Sequence, residues 1–165
     1  LIGPFHTSQE YLHVTFIDAL DFIGISAYPR LSRKLDADAD DCRAGWTHSA
    51  YGENLLRQLR DFLSGQTGDV YLTELGSPAT CGGSYFFNPS EKLEYDLARQ
   101  AAFYDASLDV LSKLTGDGLR GVYIYNWLAN PGGEFGFAPD RDAGPYVWNV
   151  YGKPAREAIG RRFLK

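Results

Sequence analysis

Val70-Tyr71-Leu72-Thr73-Glu74-Leu75, closed by Gly76-Ser77-Pro78, decides how the rest of the chain is read. It is a short run of β-branched, aromatic and apolar residues that ends in backbone breakers, which is how a strand is written. Two other runs share that form. Phe22-Ile23-Gly24-Ile25-Ser26-Ala27-Tyr28 is stopped by Pro29, and Gly121-Val122-Tyr123-Ile124-Tyr125-Asn126-Trp127 precedes Asn130-Pro131-Gly132-Gly133. None alternates strictly between apolar and polar residues. Continuous apolar strands suit a sheet covered on both faces.

Helical periodicity separates the strands. Residues 51–63 place Leu55, Leu56, Leu59, Phe62 and Leu63 on one face, opposite Arg57, Arg60 and Asp61. Ser90 reads as the cap of the next helix, with Glu91 and Glu94 in its first turn. That helix presents Leu97, Ala101, Tyr104, Leu108 and Leu111 along one side and is expected to end near Gly116. Pro154 opens a last helix with Ala155, Ala158, Ile159 and Phe163 facing inward. The order β-α-β-α-β-α defines an α/β class with parallel strands. The spare length falls in the loops after the strands, at 30–49, 77–89 and 128–152, where parallel α/β folds carry their sites.

The 165 residues suit one domain, 1–165. With 44% hydrophobic and 22% charged residues, bulk disorder is excluded. A net charge of −5 argues against a nucleic-acid partner. No apolar run reaches the ~18 residues that span a membrane. The most apolar stretch, 14–28, is cut by Asp18 and Asp21. No signal peptide is visible. The chain opens Leu1-Ile2-Gly3-Pro4 and has 0 Met, so it reads as a chain that has lost a leader or as a piece of something longer.

Glu74 is the sharpest chemical signal. It stands at the end of its strand, and its same-parity neighbours Val70 and Leu72 are apolar. A carboxylate on such a face is costly unless it is hydrogen-bonded or opens into a pocket. Gly76 allows the backbone to turn sharply beside it. Parallel strands in register bring Tyr28 and Trp127 to the same rim. A phenol can donate a hydrogen bond to a carboxylate, and an indole offers a flat wall for a sugar ring.

The segments Asp21–Pro29, Tyr71–Pro78, Gly121–Trp127 and Tyr151-Gly152-Lys153-Pro154, taken in order, resemble the last three βα units of clan A glycoside hydrolases, nearest the family 113 β-mannanase-like group. The resemblance covers nearly the whole chain. It implies a partial TIM-type (β/α) barrel of three parallel βα units corresponding to strands 6–8 of a (β/α)8 barrel. It further implies that Glu74 is the nucleophile of a retaining reaction and that Tyr28 orients it. Trp127 would floor the subsite at the cleavage point, with Tyr125 and Asn126 beside it in substrate binding. The implied partner is an oligo- or polysaccharide, such as mannan or a related glucan, and no cofactor is called for. A retaining glycosidase needs a second carboxyl about 5–5.5 Å from the first. In the family that group follows an Asn, and this chain contains no Asn-Glu pair. Glu134, Asp140, Asp142 or another polypeptide could supply it. Three strands cannot close a barrel. Self-association or a companion N-terminal barrel fragment is therefore expected. The other reading is a non-catalytic remnant that binds carbohydrate or only its partner fragment.

Weaker signals remain. Asp36-Ala37-Asp38-Ala39-Asp40-Asp41 has the charge density of a calcium loop but Asp41 at the sixth position and Thr47 at the twelfth, so it reads as a solvated acidic loop. His6, His13 and His48 show no metal-ligand spacing, and no metal site is expected. Gly82-Gly83 lacks the Lys-Ser/Thr of a phosphate loop. Cys42 and Cys81 each follow a strand, in loops on one rim. They are either two unrelated thiols or a disulfide, which would contribute roughly 4 kcal/mol by loop-closure entropy. A disulfide would suit a secreted or periplasmic protein.

Overall fold

The computed structural model describes residues 13–85, 93–127 and 148–163. Three strands, β1 (Phe22–Ala27), β2 (Asp69–Leu75) and β3 (Leu119–Ile124), form one parallel sheet in the order β1-β2-β3. Helices α1 (Ala39–Gly45) and α2 (Leu55–Ser64) connect β1 to β2, α3 (Leu97–Ser112) connects β2 to β3, and α4 (Pro154–Phe163) follows. The chain is α/β, with the topology of a partial TIM-type barrel.

Local chemistry accounts for the helix limits. Asn54 accepts a hydrogen bond from the Arg57 N–H and starts α2 four residues later than the apolar pattern alone. The acidic stretch thought to be a loop instead begins α1. Asp38 accepts from the amides of Asp40 and Asp41, and the Asp41 side chain accepts from the Asp38 amide, a reciprocal capping box. Ser90 lies outside the described residues, but it does not cap α3. That role falls to Asp96, which accepts from the Ala98 and Arg99 amides. Residues just before it are held by the loop after β2, through Cys81 N–H to the Glu94 carbonyl (2.8 Å) and Asp96 N–H to the Ala79 carbonyl (3.0 Å). Backbone engaged there cannot join the helix. At the other end α3 stops at Ser112, and a 3-10 turn over Thr115–Asp117 follows. The residue in the left-handed region is Gly118 (φ 108°), not Gly116.

The core lies between the sheet and the helices. Ile23, Ile25 and Ala27 of β1, Val70, Leu72 and Leu75 of β2, and Leu119 of β3 are buried against Leu55, Leu59, Phe62, Phe103, Tyr104 and Leu111. Buried Trp46 donates through Nε1 to Ser107 Oγ at 3.2 Å, satisfying its one polar atom. Asp105 and Asp109 of α3 pair with Arg43 of α1 and Arg162 of α4, linking the three helices.

The expectation of a sheet covered on both faces does not hold among the described residues. Phe22 is 57% and Tyr123 60% exposed. With Tyr71 they form an aromatic row across the uncovered face, with centroids 5.9 Å apart for Phe22–Tyr71 and 6.4 Å for Tyr71–Tyr123. The hydroxyls of Ser26 and Thr73 are buried without a hydrogen-bond partner among the described residues.

Candidate active site

The pairing of β2 with its neighbours is interrupted at the residues that matter. Ile25 pairs with Leu72 and Ser26 with Glu74, which leaves Thr73 as an extra residue. On the other side Leu72 pairs with Val122 and Leu75 with Ile124, so Thr73 and Glu74 together oppose Tyr123. A bulge of this kind resets side-chain alternation. Val70, Leu72 and Leu75 are buried on the helical side, whereas Thr73 and Glu74 are both half-buried. The same-parity argument from sequence is thereby overturned: Glu74 does not share the face of Val70 and Leu72. The bulge turns it to the uncovered face.

There Tyr28, one residue beyond β1, donates through its hydroxyl to Glu74 Oε2 at 2.6 Å. The short distance is that of an O–H donor on a carboxylate. Burial, then the hydrogen bond to Glu74 and its charge, push the Tyr28 hydroxyl well above the ordinary phenol range. The phenol therefore keeps its proton and remains a donor. Tyr28, Tyr125 and Trp148 form a triangle of edge-to-face rings, with centroids 5.8, 5.7 and 5.8 Å apart.

Gly76 serves this cluster by having no side chain. A Cβ there would lie 2.7 Å from the Tyr125 carbonyl oxygen, 3.1 Å from Tyr28 Cε1 and 3.2 Å from Trp148 Cζ3. Behind it, α3 ties the strand ends together. Buried Gln100 donates through Nε2 to the carbonyls of Ser77 (2.9 Å) and Trp148 (3.2 Å). Buried Tyr104 directs its hydroxyl to the Tyr125 carbonyl at 2.9 Å and the Leu75 carbonyl at 3.3 Å. Beyond β3, Tyr125 N–H donates to the Leu75 carbonyl (2.8 Å), and Asn126 exchanges backbone bonds with Trp148 and Val150.

The structure thus gathers Tyr28, Glu74 and Tyr125, with Asn126 adjoining through its backbone. Trp127 lies past the end of β3, is 44% exposed and is not one of the three packed rings. Trp148 was not singled out from sequence; an isolated tryptophan just before the turn into α4 was its only signal. Glu134, Asp140 and Asp142 lie outside the described residues.

The candidate disulfide is not formed, and Cys42 and Cys81 are free thiols. Cys42 sits on the inward side of α1, and burial pushes its thiol up to about 12. The Cys81 sulfur lies 3.9 Å from Asp96 Oδ2, at the start of α3. Each thiol is engaged with its own surroundings.

The fold places the chain in a class, and solved structures carry the same architecture. A GH113 beta-1,4-mannanase solved as a complex matches with a TM-score of 0.63 and 16% identity, over 93% of this chain and 42% of that one. The GH113 beta-mannanase AaManA from Alicyclobacillus acidocaldarius in complex with ManMIm matches with a TM-score of 0.63 and 24% identity, over 92% and 41%. Another GH113 beta-1,4-mannanase structure matches with a TM-score of 0.63 and 18% identity, over 93% and 42%. At these identities the likeness is one of fold, and the chain spans about two-fifths of the length of those enzymes. No protein-family model matches the chain, and no curated protein matches it.

Proposed function

We propose that the chain is the C-terminal portion of a retaining glycoside hydrolase acting on a β-linked polysaccharide such as mannan or a related glucan. Glu74 is the nucleophile, Tyr28 orients it, and Trp127, Tyr125 and Asn126 bind the sugar. The observation that carries this reading is the 2.6 Å Tyr28–Glu74 hydrogen bond at the C-terminal ends of adjacent parallel strands. Ends of this kind are where barrel enzymes hold their catalytic groups. Glu74 Oε2 is held by the phenol while the other oxygen attacks the anomeric carbon, and a glycosyl ester forms as the leaving oxygen departs. The acid that protonates that oxygen comes from a second carboxyl, supplied by the loop after β3 or by further βα units of the barrel.

Covalent trapping tests this. A 2-fluoro-β-mannoside or -glucoside with an aryl leaving group needs no proton donor. Incubated with the chain together with the remaining barrel units, it should leave one glycosyl adduct on the peptide containing Glu74. Glu74→Gln should abolish the adduct and lower turnover by several orders of magnitude while the fold is kept. An adduct on another residue, or activity of Glu74→Gln within a few-fold of wild type, would sink the assignment. Saccharide binding with neither adduct nor turnover would favour the non-catalytic reading.

A further inference from the structure

We infer that the rim beside Glu74 carries a subsite for an acidic sugar, a hexuronate whose carboxylate is held by Arg30 and Arg33 beside the rings of Tyr51 and Tyr85. The inference rests on the saccharide reading of the Glu74 rim and extends it to a substrate class.

Four side chains from three connecting segments make the cluster: Arg30 and Arg33 before α1, Tyr51 between α1 and α2, and Tyr85 after β2. The Arg30 guanidinium carbon lies 5.7 Å from the Tyr51 ring centroid and 5.3 Å from that of Tyr85. The Arg33 carbon lies 5.6 and 5.4 Å from the same two centroids. The rings are 6.0 Å apart. Arg30 also donates to the Tyr51 hydroxyl, and Arg33 Nε donates to the Ala50 carbonyl at 2.9 Å. Both guanidiniums therefore share one pair of rings, and their like charges are brought close together. Elsewhere in the described residues Arg43, Arg60, Arg99, Arg120, Arg161 and Arg162 each meet an aspartate. Exposed Arg33, like Arg57 and Arg156, meets no carboxylate of a described residue at ion-pair distance, but only Arg33 is held beside a second guanidinium. Two guanidiniums held side by side on one pair of rings concentrate positive charge in a chain of net charge −5 and form a local site for an anion.

Its position and shape narrow the anion. Arg30 follows Tyr28 by two residues, and Tyr85 belongs to the loop that follows β2. The Leu31 N–H donates to the Ser84 carbonyl at 2.9 Å, which fastens the two loops side by side. The cluster thus occupies the same end of the sheet as the Tyr28–Glu74 pair. Guanidinium forks match a planar carboxylate bidentately. The 43% exposed ring of Tyr51 offers a flat face to the C–H side of a pyranose. A uronate joins both features in one residue, and its charge would otherwise be repelled by Glu74.

Side-chain Nε–H NMR of the arginines tests this on the full chain at constant ionic strength. The probes are methyl β-glucuronide, the neutral methyl β-glucoside, and acetate. The glucuronide should shift the Arg33 signal at concentrations about tenfold lower than either control. Arg33→Gln should weaken glucuronide binding about tenfold, and Arg33→Lys should recover only part of it, because the charge returns without the fork. Arg120→Gln removes an equal charge elsewhere and should change nothing. Equal response to acetate overturns the inference in favour of general anion attraction. Equal response to the neutral glucoside overturns the acidic class while the saccharide reading stands. Loss of response to every saccharide removes both.

Discussion

Tyr28 holds Glu74 with one hydrogen bond, and the two residues stand 46 positions apart on neighbouring strands. Tyr28→Phe keeps the ring that packs on Tyr125 and Trp148 and deletes only the donor. On the proposed hydrolase reading, the expected result is a kcat lowered about 10- to 100-fold, with stability changed by about 1 kcal/mol. A variant with unaltered kcat would show that the phenol does not position the carboxylate. Lys153 offers a different single-residue test. Although its ammonium lies 5.5 Å from the Tyr95 ring centroid, burial lowers its pKa from 10.5 to about 8. Between those values the unfolded chain binds more protons than the folded one, so stability rises with pH from about 8 to 10.5. Lys153→Gln removes that rise. The urea midpoint of the wild type relative to that of the variant should rise as pH increases from about 8 to 10.5, and a difference that stays constant from pH 7.5 to 10.5 would contradict the shift.

Helix α3 acts as a clamp on the strand ends. Gln100 and Tyr104 project from one side of it onto carbonyls of both the segment after β2 and the segment after β3. Gln100→Leu leaves the buried Ser77 and Trp148 carbonyls without this donor and should destabilise the fold by about 1–3 kcal/mol. Chemical denaturation reads the loss directly; a change under 0.5 kcal/mol, on the order expected of a neutral surface site, would mean that other donors replace it. The role of Tyr104 was visible in the sequence only as an apolar position of a helical stripe. Its ring met that expectation, but its hydroxyl target lies on strands distant in sequence. Gln100 carried no periodic signal at all. The three strands and α4 were legible, because each is bounded by breakers or begun by Pro154. The start of α3 was not, because a bridge between Thr80 and Tyr95 keeps that backbone from helix. The Tyr28–Glu74 pair followed from strand order and motif resemblance, whereas Trp148 depends on a fold-back that no local pattern announces.

Across the molecule, the sheet has helices on one side and an aromatic row on the other. Among the described residues neither outer edge, on β1 or on β3, is paired with another strand. Open edges and exposed aromatic surface invite association. In solution the 18.4 kDa chain should show a larger, concentration-dependent mass by light scattering. Addition of the remaining barrel units should dissociate these assemblies in favour of a defined complex. A monomer with a sharp, cooperative melt would count against this expectation.

Thr73 makes the direction of residue 74 a matter of how one extra residue is absorbed. If the ladder between β1 and β2 ran on regularly with Thr73 facing Ser26, the glutamate would enter the company of Val70 and Leu72. Leu75 would swing the opposite way, out of the core. An in-frame loss of the Thr73 codon, by contrast, would leave inside and outside unchanged at the strand end, because Ser26 already pairs with Glu74. Alignments of related chains must therefore place the inserted residue at 73. A gap set a few positions away would pair strand-end carboxylates with core leucines and hide the kinship of their sites.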